Sequence, residues 1–190
     1  MHFEGEFSVS GTPDDVIRRF ADVERMARCM PGAVIEGREP DGSYVGVMLV
    51  AFGPKKIKFR GRVAAETDFA AHTGSLRGRG AADMRSARIE VRIAYALRED
   101  PTKLGTTLVK LTSDAELGGV LADFARTGGI PFAKVLMADF SARVAEEFAT
   151  DGPSQAALVE PNPLAAHGLL WKVIKAKVIN LIRWLGFARA

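Results

Sequence analysis

From Ala33 to about Ala115 apolar and polar residues alternate with a period of two, and after Leu117-Gly118-Gly119 the spacing becomes helical as far as Phe148. A long alternating run followed by one long amphipathic segment restricts the chain to an antiparallel meander covered by a helix. Turn signals at Pro40-Asp41-Gly42, Gly53-Pro54 and Asp100-Pro101 divide the run. The clearest strands set Ile57, Phe59, Gly61, Val63 and Ala65 against Lys56, Lys58, Arg60 and Arg62, and Ile89, Val91, Ile93, Tyr95 and Leu97 against Arg88, Glu90 and Arg92. One face is apolar and the other charged, so the sheet covers something on a single side. Between Thr73 and Ala81 the residues in phase with Leu76 are Gly74, Gly78 and Gly80; small residues there are expected to leave volume beneath the sheet. Phe132, Val135, Leu136, Phe140, Val144 and Phe148 form the apolar stripe of the covering helix. Pro131 belongs in its first turn, with Leu121 to Thr127 as a separate helical turn before it.

The chain enters this sheet through a first strand, where Phe3, Gly5, Phe7 and Val9 alternate with Glu4, Glu6 and Ser8. Thr12 is placed to N-cap a helix with Pro13 in its first position, and Asp14 and Asp15 complement its dipole. Val16, Ile17 and Phe20 are its inward side. Asp22 caps a second short helix with Val23, Met26 and Ala27 inward, and Pro31-Gly32 ends it. Strand, two short helices, six strands and a long helix make an α+β domain: a strongly curved antiparallel sheet wrapped around one helix, with a cavity between them as the natural binding site.

Beyond Ala149 the composition changes. Asp151-Gly152-Pro153-Ser154 and Pro161-Asn162-Pro163 mark a linker over 151–166 between a body at 1–150 and a tail at 167–190. From Asn162 onward there are five cations and no acid, which leaves 21 basic against 23 acidic residues in positions 1–161. The body is thus near neutral, no basic stripe is required of it, and nucleic acid is not expected as a partner. Cys29 is the single cysteine, which excludes an intramolecular disulfide framework. The start, with Glu4 and Glu6 and no apolar core, is not that of a cleaved signal peptide.

Plotted at helical spacing, the tail has two faces. Leu170, Ile174, Val178, Leu181, Ile182 and Leu185 share one arc, and Lys172, Lys175 and Arg183 lie on the other with Asn180. Charges spread along the run disfavour spanning and favour lying in a membrane interface. Trp171 and Trp184 suit headgroup depth, and Lys177 at the edge of the apolar arc can snorkel. An anionic membrane surface is therefore an expected partner, with each nearby cation contributing roughly 1 kcal/mol.

Chemical constellations are sparse. His2, His72 and His167 are scattered without acids or thiols at ligand spacing, so no metal site is expected. Gly78-Arg79-Gly80 lacks the third glycine and following helix of a phosphate cradle. Cys29 sits at the end of a short helix, where the dipole raises a thiol pKa, and reads as a small buried hydrophobe.

The segment Asp22-Val23-Glu24-Arg25-Met26-Ala27-Arg28-Cys29-Met30-Pro31-Gly32 resembles the carbon monoxide dehydrogenase G-subunit family of the START-like (SRPBCC) superfamily, with its Asp about seven residues before a Cys-x-Pro-Gly. Lys58 to Val63 resembles that family's fourth strand and Gly118 to Phe148 its final helix, so the likeness extends over 1–150; Val23 stands where a proline is common. The resemblance implies a helix-grip fold and a non-catalytic accessory role beside a molybdenum-containing hydroxylase of the CO dehydrogenase type. It also implies an apolar ligand, a respiratory quinone being the natural candidate, with no cofactor acting as a catalyst. The protein would then be cytoplasmic and peripherally associated with the inner face of the cell membrane. A structural recruiter or maturation factor without ligand, and a helix-grip hydrolase or lyase, are the alternatives. The expected cavity residues are Cys29 packing at the mouth, with Met30 and Pro31 beside it; Phe59, Gly61, Leu76, Gly78, Ile89 and Val91 on the inner strand faces; and Phe124, Phe132, Leu136 and Phe140 on the cover.

Overall fold

The computed structural model describes residues 1–52, 55–82, 87–149 and 164–165. Strand β1 (His2–Ser10) leads into α1 (Pro13–Phe20) and α2 (Val23–Cys29), followed by β2 (Ala33–Arg38), β3 (Tyr44–Phe52), β4 (Lys55–Asp68), β5 (Thr73–Ala82), β6 (Arg88–Glu99) and β7 (Thr106–Gly118). A 3-10 turn (Gly119–Leu121), α3 (Ala122–Thr127) and α4 (Gly129–Ala149) complete the body, and a two-residue β8 (Leu164–Ala165) pairs in parallel with β3. The seven long strands form one antiparallel sheet in the order β1-β7-β6-β5-β4-β3-β2. The α+β helix-grip architecture expected from the sequence is the one observed. The expected turn at Gly53-Pro54, the linker except Leu164 and Ala165, and the whole of the tail helix lie outside the described residues.

Local chemistry explains the element ends. Thr12 Oγ1 accepts from the Asp15 amide at 3.3 Å and Asp22 Oδ1 from the Arg25 amide at 2.9 Å, so both short helices carry the caps that their sequences call for. Three hairpins turn on an aspartate that accepts hydrogen bonds from amides just ahead of it: Asp41 from Ser43, Asp68 from Ala70 and Ala71, and Asp100 from Thr102. The Asp68 turn has neither glycine nor proline, and His72 takes the left-handed position at φ 51°. Asp68 was its only legible signal.

The Pro31-Gly32 step fastens α2 to the sheet. Pro31 is fully buried, Gly32 has φ 79°, and the Gly32 carbonyl accepts from the Leu49 amide of β3 at 2.8 Å. A Cβ on Gly32 would collide with the Leu49 carbonyl oxygen. Glycine is required here for both conformation and space.

Two clusters form the core. The larger joins Val9, Val16, Ile17, Phe20, Cys29, Tyr95, Leu97 and Val109 to Phe140, Val144 and Phe148 of α4. The smaller, at the other end of α4, gathers Val50, Ile57, Phe59, Ala87 and Leu121, with Phe132, Ile89 and Met48 packed against it. Among the strands α4 rests chiefly on β1. Phe7 meets Phe140 edge to face at 6.1 Å, Met137 lies over Gly5, and the Met1 sulfur presses on Gly129. Arg25 Nε of α2 donates to Glu147 Oε1 at 2.5 Å and holds the other end of the helix.

Replacing Gly32 with alanine is expected to destabilise the body by about 1 to 3 kcal/mol in urea unfolding, from strain at a left-handed position and the clash with Leu49. Gly37→Ala in β2, where nothing lies within 4 Å of the added methyl, serves as the neutral comparison.

Candidate functional site: the concave face of the sheet

Because α4 leans on β1, the inward faces of β4, β5 and β6 are only partly covered. Val63, Leu76, Val91 and Ile93 point inward but are half-buried, as is Leu136, which stands on the α4 stripe between Phe132 of one cluster and Phe140 of the other. Fully packed inner faces would bury such side chains. These five define an apolar strip between the clusters. Tyr95 borders it, its hydroxyl 3.4 Å from Thr67 Oγ1, and burial raises the phenol pKa.

The thirteen residues expected to line a cavity divide among these parts. Cys29, Met30, Leu76 and Phe140 belong to or pack on the larger cluster; Phe59, Ile89 and Phe132 belong to or pack on the smaller. Val91 and Leu136 lie on the strip. Phe124 of α3 stacks edge to face on Phe132 at 5.8 Å, and Pro31 is wholly buried at the end of α2. Gly61 pairs with Gly80 across β4 and β5, where an added Cβ would collide with the Arg79 carbonyl and the Gly80 Cα. Cys29 therefore lies under the C-terminal half of α4, while Phe124 and Phe132 lie at its N-terminal end. The inner glycines also behave differently from expectation. Gly74, Gly78 and Gly80 stand opposite Tyr95, Val91 and Ile89 of β6, and a Cβ on any of them would crowd those side chains. Much of the room they release is taken by larger cross-strand neighbours. Val63 and Ile93, read from the sequence as apolar-face residues by their alternation with Arg62 and Arg92 but not placed among the cavity residues, complete the strip.

Little on this face resembles reaction chemistry. Burial, with the nearby Glu147 carboxylate adding to it, pushes the Cys29 thiol up to about 11, and Sγ is 3.9 Å from the Arg25 carbonyl. Among the described residues no group of His, Cys, Asp and Glu is placed to hold a metal ion, and no helix is long and apolar enough to cross a membrane. Two shallow clefts, of about 600 and 500 Å³, are carried mainly by outward side chains of the sheet.

The family model for the G subunit of carbon monoxide dehydrogenase (CoxG) matches residues 5–146. The chain belongs to this family. No curated protein matches this CoxG-family chain. Among solved structures, a conserved protein from Geobacillus kaustophilus is similar at 22% identity and a TM-score of 0.66, covering 78% of this chain and 95% of that one. The Zhui aromatase/cyclase from Streptomyces sp. R1128 is similar at 17% identity and a TM-score of 0.55, covering 78% and 93%. A START superfamily protein from Mycobacterium smegmatis is 13% identical with a TM-score of 0.49, covering 78% and 97%. At such identities the first two show the fold, in which the conserved-protein frame and that of an aromatase/cyclase coincide with this one. In this CoxG-family chain the Cys-x-Pro-Gly segment acquires a geometric meaning: the thiol packs, the proline is buried, and the glycine docks on β3.

Cys29 provides a pH test. Its folded-state pKa is raised, so the stabilisation it represents is complete below the ordinary thiol value near 9 and is lost as pH rises through about 11. The urea midpoint of the native chain is expected to fall between about pH 9 and 11, with a shallower fall for Cys29→Ala. Iodoacetamide at pH 8 should label the folded protein far more slowly than the unfolded one.

Proposed function

We propose that this CoxG-family protein is a non-catalytic accessory of a molybdenum-containing, CO dehydrogenase-type hydroxylase that holds a lipophilic molecule on the concave face of its sheet. A respiratory quinone is the candidate ligand, carried or tethered between the enzyme and the cytoplasmic face of the membrane by the cationic tail at 167–190. The observation that carries this reading is the strip of half-buried Val63, Leu76, Val91, Ile93 and Leu136 left between two packed clusters. Each buried CH₂-sized group contributes about 0.8 kcal/mol, so one five-carbon isoprenoid unit contributes roughly 3 to 4 kcal/mol before ordering costs. Two units contribute roughly 6 to 8 kcal/mol before those costs, so a net affinity near micromolar, about 8 kcal/mol, calls for more than two buried units. Tyr95 and Thr67 supply a polar rim of the kind that orients a ligand within an apolar site. Family membership supports the accessory role, and the inward Val, Ile and Leu side chains and the glycines among them offer few groups for acid-base or nucleophilic work.

Native mass spectrometry of the full chain purified from membranes is expected to show a lipid or quinone adduct. Leu136→Trp, which fills the strip, should lower adduct retention at least about tenfold, 1.4 kcal/mol, without lowering the unfolding midpoint. Co-sedimentation with anionic liposomes should be lost on truncation after Thr150. An adduct-free protein that still sediments would leave an anchor and remove the carrier.

A further inference from the structure

The body is nearly neutral in sum, yet its outward sheet face is sharply divided. Lys56, Lys58, Arg60 and Arg62 of β4, Arg77 and Arg79 of β5, and Arg88 and Arg92 of β6 all stand exposed, while Glu4, Glu6, Asp114 and Glu116 dominate the outward side of β1 and β7, with Lys110 opposite Glu6 as its one exposed lysine among the described residues. Within the basic half Arg62 lies directly opposite Arg79, and Arg77 directly opposite Arg92. Like charges directly opposed across strands are destabilising. Local acids relieve this only in part: Arg79 and Arg92 share Glu90 Oε1 at 3.4 Å each, and Arg62 reaches Glu39 at 3.6 Å. Among the described residues Arg77 meets no carboxylate. The four arginines, with Asp41 and Glu90, line the cleft of about 500 Å³. On the neighbouring strand Val45 and Val47 lie in register with Arg62 and Arg60, half-buried on the same face.

We infer that this arginine-lined face is the docking surface for a protein whose complementary surface carries clustered Asp and Glu side chains. Apolar side chains such as Val45 and Val47 beside arginines have the mixed make-up of a protein interface, and guanidinium forks match carboxylates bidentately. The interspersed Glu36, Glu39, Asp41 and Glu90 give the face a pattern of both signs, which fixes register on a patterned partner and weakens attraction to the uniform charge of a lipid surface. No large exposed apolar side chain projects from β4, β5 or β6 to enter a bilayer, among the described residues. Nor is an aromatic exposed on the described parts of these three strands to stack on bases. The inference rests on the accessory reading only in naming the hydroxylase as the natural owner of the acidic surface.

The test uses the full chain with Lys172, Lys175, Lys177, Arg183 and Arg189 changed to Gln, so that the tail contributes no cation. A fluorescein-labelled decaglutamate peptide should bind at low salt, and an R77E/R92E pair should weaken binding at least about tenfold. Lys134→Glu on α4, the same charge change per residue elsewhere, should not. Arg77→Glu alone should also raise the melting temperature, because it replaces an opposed like-charge pair; a purely structural arginine would lower it. Unchanged peptide binding in the double variant overturns the inference. So does preference of the same face for phosphatidylglycerol vesicles, duplex DNA or a second copy of the chain over decaglutamate. Biolayer interferometry against the hydroxylase holoenzyme separates the two claims. If the holoenzyme binds wild type and R77E/R92E equally, the surface is wrong and the accessory role stands. If the peptide binds through the arginines and the holoenzyme binds neither protein, the surface stands and the accessory role falls.

Discussion

The seat of α4 on β1 governs what the remaining sheet is free to do. A long apolar helix against a seven-stranded curved sheet could lie over the middle strands and close the core. Here the contacts that fix it are at the edge: Phe140 on Phe7, Met137 over Gly5, Met1 on Gly129, and Arg25 holding Glu147 from α2. A Cβ at position 5 would crowd the Phe3 ring and reach ordinary contact with Met137, so the helix side chains lie directly on the strand here. Once seated there, the helix completes one cluster with α1 and α2 and another with Leu121 of the 3-10 turn, β3 and the adjacent ends of β4 and β6. The inward faces between them retain apolar side chains that are only half-buried among the described residues, and that surface is the basis of the ligand reading.

The motif that most invited a chemical interpretation is mechanical. A thiol raised to about 11, a buried proline and a glycine pressed on Leu49 make Cys29 to Gly32 a joint between α2 and β3. Its position matters because α2 carries Arg25, and Arg25 positions the end of α4. The family signature and the helix seat are thus parts of one arrangement.

Much of this was legible before the structure. The capped helices, the period of two from Ala33, and the helical return after Gly119 led to the observed elements because each rests on local chemistry: a side-chain cap, an alternation, a spacing. The β4–β5 turn was not signalled by glycine or proline, since Asp68 makes it with a side-chain acceptor and His72 takes the left-handed position. The inner glycines were misleading for a different reason. Counting small residues along one strand says nothing of the neighbour, and β6 places Tyr95, Val91 and Ile89 against them. Charge totals failed likewise, because a sum near zero hides a sheet whose outward side is mainly basic on β4 and β5 and mainly acidic along β1 and the end of β7. Register across strands, which brings Arg62 to Arg79 and Arg77 to Arg92, exists only in the folded sheet.

The central claim is that the strip between the clusters is where an apolar ligand resides. Methyl NMR of the full chain, labelled at Ile, Leu and Val and titrated with decylubiquinone, tests it most directly. The account predicts saturable shifts at Val63, Leu76, Val91, Ile93 and Leu136, with Val9, Val16, Ile17, Val109 and Val144 in the closed cluster unmoved. Shifts confined to the leucines, isoleucines and valines of 169–187, or none at all, would contradict it.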